Sequence, residues 1–202
     1  LARSLVTSRT FAVGIIVPDL TNPFFPALIK GIEKTLWEAG YSVILADTDF
    51  DTEKEVETVN EFLSRRVDGL IMSPIESQDY RKWIGSIRAA DLPFVSLIRL
   101  RDHVADTVVA ADRYGARMAV DHLLDLGRNH ILYLGNAASH WGNEERVAGY
   151  REALRNAGVR LDEGLIHSVA VGTMESAATR MKELLAENMQ FDAVVAFDDI
   201  MA

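Results

Sequence analysis

The sequence contains no cysteine. It can therefore form neither a disulfide framework nor a thiolate nucleophile, a composition that suits a reducing cytoplasm. No apolar run approaches the ~20 residues that cross a bilayer, so no membrane partner is expected. Positive charge is scarce: 21 Lys and Arg stand against 30 Asp and Glu, for a formal charge of −9. Nucleic-acid affinity comes chiefly from cations that displace counterions, so most of any contact with DNA is expected to be made by residues beyond these. No G-x-G-x-x-G or Walker loop follows the first strand-like run, which disfavours phosphate cradling. A G-x-S-x-G elbow is absent too. The five histidines (103, 122, 130, 140 and 167) are scattered, with no H-E-x-x-H pair, and His122 beside Leu123 and Leu124 is expected to pack a helix. The run Asp47-Thr48-Asp49-Phe50-Asp51 imitates the start of a calcium loop, but Thr52 stands where that loop needs Gly and Thr58 where it needs Glu. No metal, no cofactor and no enzymatic activity are expected; the chemistry left is binding.

What is present is a regular alternation. Apolar, β-rich runs fall at 11–17, 41–46, 68–72, 93–98, 107–111, 130–134, 166–171 and 192–197. Most are continuous rather than alternating, as parallel strands covered on both faces require. Helical patterns lie between them. Residues 26–39 repeat Leu28, Ile32 and Leu36 and stop at Gly40. Residues 52–65 open with Thr52 and Glu55 as a capping box. Residues 112–126 start at Asp112, 143–157 start at Asn143, and 173–187 carries a lone Thr173 cap. This order predicts an α/β fold with parallel sheets and right-handed crossovers. The rhythm breaks at the polar residues 99–103 and restarts near Ala111. Two doubly wound lobes, 11–110 and 111–202, with a ligand cleft between them, are the expectation.

Ligands of open α/β sheets bind outside the carboxyl ends of the strands. There the first strand delivers Asn22, Phe24 and Phe25. Adjacent aromatics on a helix cannot both face the core, so one ring is expected to pack and the other to line the cleft. Asn22 offers both donors and acceptors. Asp49, at the end of the second strand, is a further candidate. Arg146 falls in the first turn of the helix expected from Asn143, where a cation opposes the helix dipole; a guanidinium gripping a hydroxylated or carboxylated ligand explains it better. Asp198 and Asp199 end the last strand, with Asp199 the expected helix cap and Asp198 the freer of the two.

Five segments, taken together in order and spacing, carry a resemblance: residues 14–25 (GIIVPDLTNPFF), 68–74 (DGLIMSP), 112–127 (DRYGARMAVDHLLDLG), 145–154 (ERVAGYREAL) and 193–202 (AVVAFDDIMA). The chain resembles the effector-binding core of the lactose-repressor/galactose-repressor (LacI/GalR) family of bacterial transcriptional regulators, a type I periplasmic-binding-protein-like fold. The resemblance implies that residues 1–10 are the remnant of a DNA hinge, with Leu5 at the position of a leucine wedged into the minor groove. It places Phe24 and Phe25 on effector-contacting aromatics and Arg146 on the effector-holding arginine. Asp198 falls on a polar cleft residue that is usually Asn, and Met174 where many members place a stacking aromatic. Ile98 stands where sugar-binding members often carry Asp; Trp141 and Glu144, flanking Arg146, are the candidates to compensate.

The implied function is that of a sensor, a repressor core whose small polar effector, a sugar or sugar derivative, binds between the lobes. Implied partners are operator DNA, through an upstream helix-turn-helix domain, and a second copy in a homodimer. The second lobe is expected to be incomplete at its C-terminal end. Two rivals remain. A periplasmic sugar-binding protein shares the two-lobed design, although the hinge-like start argues against it. A sugar-modifying enzyme would need a base or nucleophile that the sequence does not offer.

Overall fold

The computed structural model describes residues 9–75, 80–100, 105–138 and 140–202, the side chains of 80 and 140 excepted. Leu5 and most of the hinge-like segment lie outside them. The chain divides between Val109 and Ala110 into two compact units.

The first unit runs β1 (Ala12–Val17), α1 (Phe24–Glu38), β2 (Ser42–Asp47), α2 (Thr52–Ser64), β3 (Gly69–Met72), α3 (Tyr80–Ala89), β4 (Phe94–Ser96) and β5 (Asp106–Thr107). Its strands form one parallel sheet in the order β2-β1-β3-β4-β5. Every residue of β1 is buried, which is why it reads as an unbroken apolar run. Ile15 and Val17 pack with Phe25, while Ile16 joins Val59, Phe62, Met72 and Trp83 in a second cluster.

The second unit runs α4 (Asp112–Asp125), β6 (Ile131–Asn136), α5 (His140–Asn156), a 3₁₀ turn (Glu163–Leu165), β7 (Ile166–Val169), α6 (Met174–Ala186) and β8 (Ala193–Ala196). The parallel order is β7-β6-β8, with β8 at an edge. Helices α4 and α5 close tightly because Gly149 has no side chain: a Cβ there would collide with the carbonyl oxygen of Arg113. Helix α4 stops at Gly127 and α5 at Gly158, both at positive φ.

Several local expectations need correction. The run 107–111 supplies only Thr107 to the two-residue strand β5; Val108 still donates to the Ser96 carbonyl, but Val108 and Val109 are exposed where the chain leaves the sheet. Apolar content did not make a strand there, because strands are made by pairing. Helix α2 is capped by Asp51, whose carboxylate accepts from the Glu53 and Lys54 amides. Glu55 is not a capping-box partner: it is buried and accepts from Trp83 Nε1 at 2.8 Å and from the Ile75 amide at 2.7 Å. Helix α3 has no counterpart in the sequence reading. Helix α5 begins at His140, not Asn143. The Thr173 cap of α6 is not a lone one, since Ser176 returns a hydrogen bond to make a full capping box.

Candidate functional site

In the first unit, the turns after β1 and β2 are tied together by one carboxylate. Asp47 accepts from the Leu20 amide at 2.9 Å and from the Asp49 amide at 3.0 Å. The amide of Phe50 donates to the Pro18 carbonyl at 3.0 Å. On that base Asn22 accepts from the Phe24 amide at 3.0 Å and starts α1. Phe25 turns into the core at 7% exposure, and Phe24 stays outside at 56%. The two rings meet edge-on, 5.2 Å between centroids. Asp49 is exposed and bound to Lys54 Nζ at 2.6 Å. That contact is the main cause raising the lysine's pKa above its ordinary value. Asp49 and Phe50 both adopt positive φ, a region a bulky Phe rarely enters, and Phe50 is exposed. The sequence reading passed over Phe50; backbone strain is invisible in composition.

The second unit holds the richer arrangement. Arg146 lies nearly two turns inside α5 rather than in its first turn, so the helix dipole is no part of its explanation. Its Nη2 meets Asp112 Oδ1 at 2.8 Å, with the side chains 25% and 17% exposed, and its guanidinium stacks 3.8 Å from the centroid of Phe197. Burial pushes the Asp112 carboxyl above its usual pKa; Arg146 pulls it down and Glu145 pushes it up. Burial also raises the Tyr133 phenol, which donates to Asn143 Oδ1 at 3.1 Å. Asn143, expected as a helix start, thus uses its side chain to brace β6, with a further bond to Ser168 Oγ at 3.4 Å.

Asp112, Tyr133, Arg146 and Phe197 border a hollow of about 530 Å³. It runs from Asp112, Tyr133, Arg146, Phe197, Asp198 and Asp199 at the carboxyl end of β8 back along that strand to His122 and Leu123 of α4. His122, expected to pack, is exposed there. Asp198 Oδ1 accepts from the Met201 amide at 3.0 Å. Asp198 thus closes a turn over residues 199–201; no helix begins at Ile200 among the described residues, so the cap expected of Asp199 is not formed. Of the residues that sequence singled out in this unit, the hollow brings together Arg146 and Asp198. Trp141, Glu144 and Met174 do not line it; Glu144 is exposed and Met174 is 72% exposed at the start of α6. Asp112, Tyr133 and Phe197 were missed. Only the adjacency of Phe197 to Asp198 hinted at any of them.

Among the described residues no cluster of His, Cys, Asp or Glu is arranged to hold a metal ion, and no helix is long and apolar enough to cross a membrane.

Comparison with known proteins gives consistent matches. The family model described as periplasmic binding proteins and sugar binding domain of LacI family matches residues 10–202. The HTH-type transcriptional regulator DegA of Bacillus subtilis is 32% identical over 203 residues, covering 100% of this chain and 60% of its own length. The ribose operon repressor of Escherichia coli is 28% identical, covering 100% of this chain and 61% of its own. The chain thus spans about 60% of the length of these curated relatives. A solved sugar-binding transcriptional regulator (LacI family) from Escherichia coli, complexed with phosphate, superposes with a TM-score of 0.75 at 28% identity, covering 96% of this chain and 70% of that one.

Proposed function

Because the chain belongs to the family of periplasmic binding proteins and sugar-binding domains of the LacI family, we propose that it is the effector-binding core of a transcriptional regulator, acting as a repressor. Its effector is a small polar metabolite, a sugar or sugar derivative. The curated relatives, among them a ribose operon repressor, support the regulatory role. The observation that carries the ligand-binding role is Arg146, fixed between Asp112 and Phe197 at the carboxyl end of β8. That is where an open α/β sheet takes its ligand. A guanidinium has five N–H donors, and Asp112 uses only part of that set.

In this proposal Arg146 and Asp198 offer the ligand charge-assisted hydrogen bonds, and Phe24, on the first unit, is a further candidate contact through its bare ring face. Ligand binding favours one state of the protein over another, and in a homodimer this changes operator affinity through an N-terminal DNA-binding domain. A coupling of ~1–3 kcal/mol suffices. The test is calorimetric titration of the full-length protein with pentoses, hexoses and disaccharides, repeated with Arg146→Ala. Binding by the wild type and a loss of about 100-fold or more in the variant, equivalent to ~2.7 kcal/mol, is expected. Unchanged affinity in the variant removes Arg146 from the site.

A further inference from the structure

We propose that the hollow of the second unit selects an uncharged, hydroxyl-rich ligand and discriminates against the phosphorylated or carboxylated form of the same molecule. This rests on the ligand-sensing role above and narrows its chemical class. The fold by itself leaves the class open, since a related regulator was solved with phosphate bound.

The charged groups lining the hollow are predominantly acidic. Among the described residues lining the hollow, Arg146 is the only lysine or arginine and His122 the only histidine, against three carboxylates, Asp112, Asp198 and Asp199. Arg146 is already neutralised, with Asp112 at 2.8 Å. The N-terminus of α4 is where an incoming anion would otherwise settle. Asp112, the first residue of that helix, stands there already. Its carboxyl is held above the usual pKa range, first by burial and then by Glu145, despite the arginine beside it. The surroundings thus already resist one negative charge, and a second would meet the same resistance.

Hydrogen-bond complementarity points the same way. Ionised carboxylates only accept. The hydroxyls of a neutral sugar can donate to Asp112 and Asp198 while accepting from the guanidinium. A phosphate dianion only accepts, so on Arg146 it sets like charge beside Asp112, even though the remaining hydroxyls of an ester can still donate. The Phe197 ring under the guanidinium adds apolar surface for the C–H face of a pyranose or furanose.

The test pairs each neutral sugar with its phosphate ester (ribose with ribose 5-phosphate, glucose with glucose 6-phosphate, fructose with fructose 1-phosphate) in calorimetric titrations of the full-length protein, with inorganic phosphate alongside. The expected result is a neutral sugar that binds about tenfold or more tighter than its ester, with inorganic phosphate silent. Asp198→Asn should narrow that ratio, since it removes a charge while its amide oxygen can still accept from Met201. An ester that binds as tightly as its parent or tighter, or a ratio unmoved by Asp198→Asn, overturns the charge selection and leaves the sensing role standing. A library silent in both forms overturns both.

Discussion

The helix that carries Arg146 is tied to the sheet by the Tyr150 hydroxyl, and removing that hydroxyl should destabilise the second unit. Tyr150 lies one turn beyond Arg146, is fully buried, and donates to the carbonyl of Ile131 at 2.8 Å, pinning α5 to the start of β6. Tyr150→Phe keeps the ring, which packs 5.9 Å from Tyr133, and removes only the donor. A buried carbonyl left without its partner costs about 1–3 kcal/mol. The variant should therefore be less stable by that amount at pH 7.

The pH dependence sharpens this. Burial first, then Asp162 and Glu163, pushes the folded phenol from 10.0 up to about 12, with Arg151 opposing. Because the folded pKa is raised, the contribution is complete below pH 10 and is lost as pH rises toward 12, where the unfolded phenol ionises and the folded one resists. Two pH units at 1.36 kcal/mol each give a loss of about 2–3 kcal/mol by pH 12. Other alkaline titrations are common to both proteins and cancel in the difference. Urea denaturation followed by circular dichroism at pH 7, 10 and 12 should show the wild type's advantage shrinking across the upper window. A variant as stable as wild type at pH 7, or a difference flat from pH 10 to 12, would refute the reasoning.

Three further outcomes follow from the packing. Gly149→Ala gains up to ~1 kcal/mol of helix propensity but drives a methyl into the α4 backbone at Arg113. The clash should win by about 1–3 kcal/mol, and denaturation midpoints that rise instead contradict the close approach. Glu55→Ala deprives Trp83 Nε1 and the Ile75 amide of their buried acceptor, at a cost of about 2–4 kcal/mol across the two; loss of the Trp83 fluorescence shift at lower urea checks it. Asp112→Ala frees the Arg146 guanidinium. It should weaken sugar binding by about tenfold through lost preorganisation, read by calorimetry, whereas an affinity equal to wild type shows the clamp to be dispensable.

The alternation of apolar runs and helical patterns was enough to read the parallel α/β fold, because strands such as β1 are buried on both faces and helix stops such as Gly127 and Gly158 act locally. Helix α3 escaped notice, and so did the true start of α5, because tertiary contacts settle them: Trp83 is fixed by Glu55 on α2, and Asn143 is drawn to Tyr133 and Ser168. Arg146 and Asp198 were legible as candidates through chain position. The Asp112 clamp was not. It joins residues that are close only once α4 packs on α5, and no spacing along the chain encodes that.

The most direct measurement is a crystal structure of the full-length protein with whichever sugar the titrations identify. Ligand oxygens should lie about 2.7–3.2 Å from the Arg146 guanidinium, with Asp112 still holding its far side. A ligand seated elsewhere, with Arg146 contacting only Asp112 and Phe197, would contradict it.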